Sequence, residues 1–134
     1  MISDLRDPST SAWPWPLSLD ALSAAPGTLL LENDHVRVLE TRIPSGGIVP
    51  VHTHCWPSVL YVLSWSDFVR YDAEGTVVLD SRTTGSGGSP PSVAWSEALP
   101  PHSLENVGAA EIRVISVEIK QSWCAVKDPV VTRR

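Results

Sequence analysis

From residue 28 onward, runs of β-branched and aliphatic residues alternate with short clusters of turn residues. Such runs are typical of β-strands bounded by turns. The pattern predicts seven to nine strands, at Thr28–Glu32, Val36–Ile43, Ile48–His54, Val59–Trp65, Phe68–Tyr71, Thr76–Asp80, Val93–Trp95, Ser103–Val107 and Ile112–Lys120. Short strands at a spacing of about ten residues favour an all-β sandwich or barrel.

Turn-forming residues mark the boundaries between these runs. The separators are Asn33-Asp34, Pro44-Ser45-Gly46-Gly47, Ala73-Glu74-Gly75 and Gly108-Ala109-Ala110. A glycine- and serine-rich stretch, Thr83–Pro91, lies between two predicted strands. It lacks the Gly-Lys-Ser/Thr ending of a phosphate-binding loop and no helix follows it, so we expect a surface loop.

The N-terminal region differs from the rest of the chain. Leu17–Ala24 predicts one short helix, which Pro26-Gly27 ends. Before it, Trp13-Pro14-Trp15-Pro16 predicts an extended arm that lies across the domain or a neighbour with two indoles as anchors, or else a partly ordered tail. The predicted organisation is an arm with a helix at 1–27, a β-barrel domain at 28–121 and a C-terminal tail at 122–134.

Composition agrees with one globular domain. The chain has 134 residues, of which 43% are hydrophobic and 19% charged, so a disordered chain and a long coiled coil are both excluded. Twelve prolines and eight glycines leave little room for long helices. A domain of this size can bury a sizeable core without a disulfide or a structural metal.

Charge and hydropathy limit the partners and the location. The net charge is −5 and no basic stripe is present, which argues against nucleic acid and anionic membranes as partners. No apolar run approaches the roughly 18 residues of a membrane span, and the first ten residues are not those of a signal peptide. We therefore expect a cytoplasmic protein in which Cys55 and Cys124 are two thiols.

Two histidines in one predicted strand are the first candidate for chemistry. Side chains at positions i and i+2 of a strand point to the same face, so His52 and His54 project together and could share one metal ion. Cys55 faces the other side unless a bulge changes the register. The same parity puts Val49 and Val51 on that opposite face, which a second sheet or a subunit would then cover.

A third histidine, His102, follows a double proline and opens a predicted strand that reaches Asn106. The spacing of Gly46, His52-x-His54 and His102-x3-Asn106 resembles the two motifs of the cupin superfamily, G-x5-H-x-H-x(3,4)-E-x6-G and G-x5-P-x-G-x2-H-x3-N. The resemblance covers residues 28–121. It implies a jelly-roll β-barrel, that is a double-stranded β-helix of the RmlC-like type, with a metal site inside and usually a homodimer.

The sequence departs from the family pattern where the acidic ligand is expected. Ser58 or Val59 stands in that place, and Glu97 and Leu99 replace the proline and glycine of the second motif. What the resemblance carries over is therefore a site of three histidines, His52, His54 and His102. It would hold one divalent transition metal, iron first and zinc or nickel next. Asn106 carries over in a structural role or as a support to a ligand.

The resemblance implies a metal-dependent oxidoreductase, of the dioxygenase type, acting on a small chelating substrate. The alternative is a non-catalytic cupin that binds or senses a small molecule with a degenerate or empty metal site. An isomerase or cyclase that uses a histidine as general base is a third reading. No nucleophile motif or paired-acid spacing appears, so any chemistry should run through the metal.

Several other side chains could contribute to a pocket. An indole could stack on a flat substrate, a phenol could donate to it, and a guanidinium could pair with a substrate carboxylate. A position in the core, in an interface or on a solvated strand face is the alternative for each. These candidates are Trp56, Trp65, Trp95, Tyr61, Arg70 and Arg113.

Overall fold

Nine antiparallel strands form two facing sheets in the computed structural model, which describes residues 13–25, 27–83, 91–122 and 124. The strands are β1 (Gly27–Glu32), β2 (Val36–Ile43), β3 (Ile48–His54), β4 (Ser58–Ser64), β5 (Phe68–Asp72), β6 (Val77–Asp80), β7 (Val93–Ser96), β8 (Leu99–Asn106) and β9 (Ile112–Ile119). All nine predicted strands are present. Residues 84–90 of the predicted loop Thr83–Pro91, together with most of the predicted arm and tail, lie outside the described residues.

The two sheets enclose a cavity between them. One sheet has five strands in the order β1-β2-β9-β4-β7, and the other has four in the order β3-β8-β5-β6. Alternate residues of β9, such as Ile112, Val114 and Ser116, line the cavity, as the two-residue period of a strand requires. The all-β jelly-roll architecture predicted from the sequence is therefore confirmed.

Strand β8 begins four residues earlier than predicted. Pro100 and Pro101, which we expected to form a turn, lie inside the strand, so His102 is in its middle. Proline has no N–H to donate to a neighbouring strand and is accommodated at irregular positions of a sheet. The pairing of β3 with β8 shifts register between His52 and His54, beside these prolines.

In the first half of β3, the side chains do not point to the faces that we predict from simple alternation. A second register shift lies between Val49 and His52, so the strand changes face there. Val49 is buried and lines the cavity together with the histidines, whereas Ile48 is exposed. Val49 therefore belongs to the core between the sheets and provides no apolar surface for a subunit contact.

A short helical segment closes one side of the barrel. A 3₁₀ turn, Leu17–Leu19, leads into α1 (Ala21–Ala24), and Asp20 caps the helix by accepting from the N–H of Leu22. The main chain of Asp20 also forms an isolated parallel β-bridge with Thr53 of β3. Among the described helices, none has the length and hydropathy needed to cross a bilayer.

The two cysteines are paired, which corrects the expectation of two thiols. Cys55 and Cys124 form a disulfide, with 6.0 Å between their Cα atoms. They pack with Trp56 in a small cluster against which Trp13 of the arm lies, as expected for one of the two anchoring indoles. Disulfides are rare in cytosolic proteins, so the cytoplasmic location stays a prediction without support from the cysteines.

Asn106 has the structural role that the motif left open. Its side chain is fully buried; the amide donates to the carbonyls of Ile43 and Ala110, and its oxygen accepts from the N–H of Gly108. Its main chain pairs with that of Gly46 and Gly47, where Gly46 has a φ of 80° that favours glycine. Asn106 therefore fixes the β2–β3 and β8–β9 turns together and does not contact the histidines.

Replacing Asn106 with alanine should lower the free energy of unfolding by roughly 2–4 kcal/mol, since three hydrogen bonds are lost and buried partners stay unsatisfied. Urea unfolding measures this. The control is Asn33→Ala, because the exposed Asn33 side chain accepts only from the N–H groups of His35 and Val36 in a turn. Equal losses in the two variants would contradict the role assigned to Asn106.

Candidate metal site

The three histidines predicted to act together lie side by side in the cavity. β3 and β8 are neighbours in the four-stranded sheet, and His52 stands directly opposite His102 in their pairing. The ring centroids are 4.3 Å apart for His52 and His102, 4.9 Å for His52 and His54, and 5.5 Å for His54 and His102. The motif spacing thus brings three imidazoles to one point from two strands.

Two of the rings are held by the main chain in one tautomer. Nδ1 of His52 donates to the carbonyl of Pro50, and Nδ1 of His102 donates to that of Pro100, both at 2.7 Å. A carbonyl only accepts, so the proton of each neutral ring sits on Nδ1. Each Nε2 then keeps its lone pair free for a metal ion.

The third ring meets a carboxylate. Nδ1 of His54 lies 3.5 Å from Oε2 of Glu118, which is fully buried on β9. That oxygen has no hydrogen-bond partner among the described residues. A carboxylate behind a histidine orients the ring and increases its basicity as a ligand, so Glu118 stands in the position of a support to His54.

Burial keeps the inner histidines neutral. Loss of solvent, followed by the charge of neighbouring histidines, lowers the pKa of His52 to about 4 and that of His102 to about 3. Both rings are therefore uncharged near neutral pH. A neutral imidazole is the form that binds a metal, so no proton has to be removed first.

These donors fit a transition metal. One ligand nitrogen from each histidine lies within 4.8 Å of the other two. A point therefore exists that lies at most about 2.8 Å from each of the three nitrogens, so shifts of up to about 0.7 Å bring them to the usual 2.0–2.1 Å. The three histidines are positioned to bind one metal ion, and imidazole ligands suit iron, zinc, copper and nickel.

The position of the missing acidic ligand is occupied by Ser58. Its side chain is buried and lines the cavity, whereas Val59 points to the other face of β4. In the pairing of β4 with β9, Ser58 stands directly opposite Glu118. The site therefore lacks the carboxylate on β4 and has one on the adjacent strand, behind His54 rather than among the three nitrogens.

A buried ion-pair network holds this carboxylate. Arg37 on β2 donates from Nε to Glu118 at 2.5 Å and from both terminal nitrogens to Asp20 at 2.9 and 3.0 Å. Burial alone would lower the pKa of Arg37, but the two carboxylates raise it above the usual value. Burial would raise the pKa of Glu118, but its contacts with His54 and Arg37 bring it below the usual value. Glu118 is therefore an anion that connects the N-terminal helix to the histidines.

Replacing Glu118 with glutamine should weaken metal binding by about 10–100-fold, because the group behind His54 loses its charge. Competitive titration of metal-free protein with zinc and a chromophoric chelator measures this affinity. Glu111→Gln, at an exposed position next to β9, should leave it unchanged. An unchanged zinc affinity in the folded Glu118→Gln protein would mean that Glu118 does not support His54 as a metal ligand.

The cavity around the histidines has a volume of about 150 Å³ and mostly apolar walls. Its polar lining consists of the histidines, Thr41, Ser58, Ser96, Ser116 and one charged side chain, that of Arg70 on β5. The apolar lining comes from both sheets and from the helix, and includes Ala21, Leu39, Ile43, Val49, Leu60, Leu99, Leu104, Ile112 and Val114.

The other candidate side chains lie elsewhere. Trp56 is buried against the disulfide, and Trp65 packs edge-on against Phe68. Tyr61 and Trp95 are about half exposed on the outer face of the five-stranded sheet, so none of these four rings lines the cavity. A solvated strand face, one of the alternatives for the two arginines, is correct for Arg113, which pairs with Glu40, but wrong for Arg70, which lines the cavity.

Sequence reasoning missed Asp20, Arg37 and Glu118. The available signal was a charged residue within an apolar strand, since Glu118 shares the parity of Ile112 and Val114. The signal is weak because Ile115, Val117 and Ile119, on the other face of β9, are apolar as well.

The fold and the site can be compared with known proteins. No protein-family model and no curated protein matches the sequence. Among solved structures, the chain is similar to a cupin domain from Bordetella pertussis Tohama I, with 23% identity and a TM-score of 0.57 over 72% of this chain and 94% of that one. It is also similar to an RmlC-like cupin family protein with a double-stranded β-helix fold from Methanocaldococcus jannaschii, with 10% identity and a TM-score of 0.52 over 72% of this chain and 81% of that one. A protein with a double-stranded β-helix domain from Klebsiella pneumoniae has 16% identity and a TM-score of 0.50 over 83% of this chain and 92% of its own. The chain therefore has the double-stranded β-helix, or jelly-roll, fold of the cupin superfamily.

Proposed function

We propose that this protein binds one divalent transition metal through His52, His54 and His102 and acts as a metal-dependent oxidoreductase of the dioxygenase type on a small chelating substrate. The observation that supports the proposal is the convergence of three imidazoles on one point of an apolar cavity. Two of them have their Nδ1 held away by main-chain carbonyls, which leaves Nε2 for the metal.

The ligand set determines the kind of metal chemistry. Three neutral imidazoles leave the full charge of a divalent ion uncompensated, and among the described residues no carboxylate joins them. A metal held there supplies a Lewis-acidic centre with open positions for substrate and oxygen. Iron is the first candidate for an oxidoreductase, with zinc and nickel as the alternatives.

The protein's own residues define which substrate can enter. The carbonyls of Pro50 and Pro100 fix the orientation of two rings that line the cavity, so a metal held by these histidines would be reached by substrate from the cavity. The apolar walls exclude water and leave few alternative hydrogen-bond partners for a substrate. A volume of about 150 Å³ is well below the roughly 300–1,000 Å³ of pockets for drug-sized ligands, which favours a small metabolite.

A non-catalytic cupin that binds or senses a small molecule is the second candidate. Ser58 in the place of the acidic ligand favours it, because a site without its carboxylate holds a metal less firmly. The cavity and its apolar walls would still bind a ligand in that case. The difference between the two candidates lies in metal content and turnover.

The test begins with elemental analysis of protein purified without a histidine tag. We expect about one iron per chain, and oxygen uptake when small thiols or 1,3-diketones are supplied with iron(II). A metal-loaded protein that binds these compounds without consuming oxygen would support the sensing role. A chain that takes up none of iron, zinc or nickel, yet binds a metabolite, would reject the metal-dependent function.

We also infer a homodimer, as the family resemblance implies. The outer face of the five-stranded sheet carries the half-exposed rings of Tyr61 and Trp95 together with exposed Leu63 and Val93. A contiguous apolar face of this kind is typical of an interaction surface. Sedimentation equilibrium should give twice the chain mass, and Trp95→Glu should shift it to the monomer. A wild-type monomer at tens of micromolar would reject the dimer.

A further inference from the structure

Arg70 is a cation in the cavity for which the described residues supply no counter-charge. Its side chain lines the cavity, its Nε is buried without a hydrogen-bond partner, and no described carboxylate forms an ion pair with it. Arg37, by contrast, is buried and bound by two carboxylates. The two arginines also differ in position, since Arg70 faces the space where a ligand would lie and Arg37 does not line the cavity.

The nearest acid on the same strand does not serve Arg70. Asp72 follows two residues later on β5, but its carboxylate accepts from the N–H groups of Glu74 and Thr76 in the β5–β6 turn. Glu105, on β8, accepts from the hydroxyl of Tyr71. The carboxylates on these neighbouring strands therefore have other partners.

Arg70 is half-buried and its Nε is shielded from solvent, so a charge kept there without a partner has a desolvation cost that calls for a reason. Burial lowers the pKa of Arg70, but a guanidinium remains protonated under ordinary conditions. A fixed cation in an apolar cavity binds an anion more strongly than the same cation would in water. The structure therefore keeps a positive charge available at the position of a ligand.

The location of Arg70 relates it to the metal site. In the pairing of β5 with β8, Arg70 stands opposite Leu104, which is two residues beyond His102 on the same face. Diagonal neighbours of this kind lie about 7–8 Å apart, within reach of an arginine side chain.

We propose that Arg70 binds a carboxylate of the substrate, which makes the substrate a small carboxylic acid with a second group that reaches the three histidines. The planar guanidinium forms two parallel hydrogen bonds with a carboxylate, and such a pair would fix the orientation of the acid relative to the metal. The second half of the inference rests on the proposed metal-dependent function, whereas the anion site itself depends only on Arg70 and the cavity.

The test compares two probes that differ only in charge, 4-mercaptobutanoate and 4-mercaptobutanamide. They have equal length and the same thiol, and their chain is too long for the carboxylate to close a favourable chelate ring on the metal. Binding to the cobalt(II)-loaded full chain is followed by the thiolate-to-cobalt absorption band. We expect the acid to bind at least tenfold more tightly than the amide, and Arg70→Gln to bring the ratio close to one.

The control variant is Arg113→Gln, because Arg113 lies on the outer face of the barrel and pairs with Glu40. It should keep the preference for the acid. Because Arg70 is half-buried and has no ion-pair partner among the described residues, the melting temperature of Arg70→Gln should equal that of the wild type or exceed it, whereas loss of a structural arginine would lower it. Arg70→Met provides a second variant if the glutamine variant does not fold.

Two results would overturn the inference, equal binding of the two probes by the wild type or a preference that persists in both Arg70 variants. Calorimetry with both probes on metal-free protein separates this outcome from a failure of the proposed function. A chain that takes up no metal, yet prefers the acid through Arg70, would reject the metal-dependent function and retain the anion site. A chain that binds cobalt but shows no preference for the acid would reject the anion site and leave the metal-dependent function standing.

Discussion

Replacing His102 with alanine is expected to abolish stoichiometric metal binding while the barrel remains folded. Structural zinc sites are worth about 10–16 kcal/mol over four ligands, which is roughly 2.5–4 kcal/mol per ligand. Loss of one of three imidazoles should therefore lower the affinity about 100–1,000-fold. Elemental analysis after dialysis and competitive titration with zinc measure the effect, and circular dichroism checks the fold.

The matched control for this variant is His35→Ala. His35 is exposed in the turn between β1 and β2, and the structure gives it no contact with the three clustered histidines. It should keep the wild-type metal content. Metal that stays bound at the wild-type affinity in folded His102→Ala would mean that His102 is not a ligand, and the proposed centre would then lose its third member.

Local information was enough to predict the strands and the histidine pair. Turn residues such as Gly46 and Gly75 have a positive φ in the structure and bound the strands where the sequence indicated. His52 and His54 are two residues apart on one strand, so their common direction follows from the period of the strand itself. Predictions of this kind depend on few residues that are adjacent in the chain.

Errors arose where pairing between strands decides the geometry. Strict alternation of side chains puts Val49 on the back of β3, but a register shift opposite β8 turns it into the cavity. The double proline before His102 looked like a turn, yet it lies in a strand whose irregular pairing with β3 accommodates it. Neither irregularity is visible in one strand alone, because each depends on its partner.

The network behind His54 was out of reach for the same reason. Arg37 and Glu118 are 81 residues apart, and Asp20 lies outside the barrel strands in the sequence. The family motif also directed attention to Ser58 as the site of a lost carboxylate, whereas the structure has a carboxylate opposite it on β9. A comparison of motif positions along the chain does not detect an acid that belongs to the adjacent strand.

Replacing Arg37 with methionine is expected to lower the free energy of unfolding by about 3–5 kcal/mol, because Asp20 and Glu118 would remain buried without a cation. Methionine keeps most of the volume, so the loss reports on charge rather than on a cavity. The indole of Trp56, 5.1 Å from the guanidinium, would lose a cation–π contact as well. Urea unfolding followed by tryptophan fluorescence measures the change.

Arg42→Met is the matched control for this second prediction, since Arg42 lies on the same strand, is about half exposed and pairs with Glu40 at the surface. It should cost less than about 1 kcal/mol. Combining Arg37→Met with Asp20→Asn and Glu118→Met removes all three charges and should restore much of the lost stability, because the buried acids no longer need a counter-charge. If Arg37→Met lowers the free energy of unfolding no more than Arg42→Met does, the buried network does not hold Glu118 and α1 to the barrel. In that case the assignment of Glu118 as a support to His54 loses its basis.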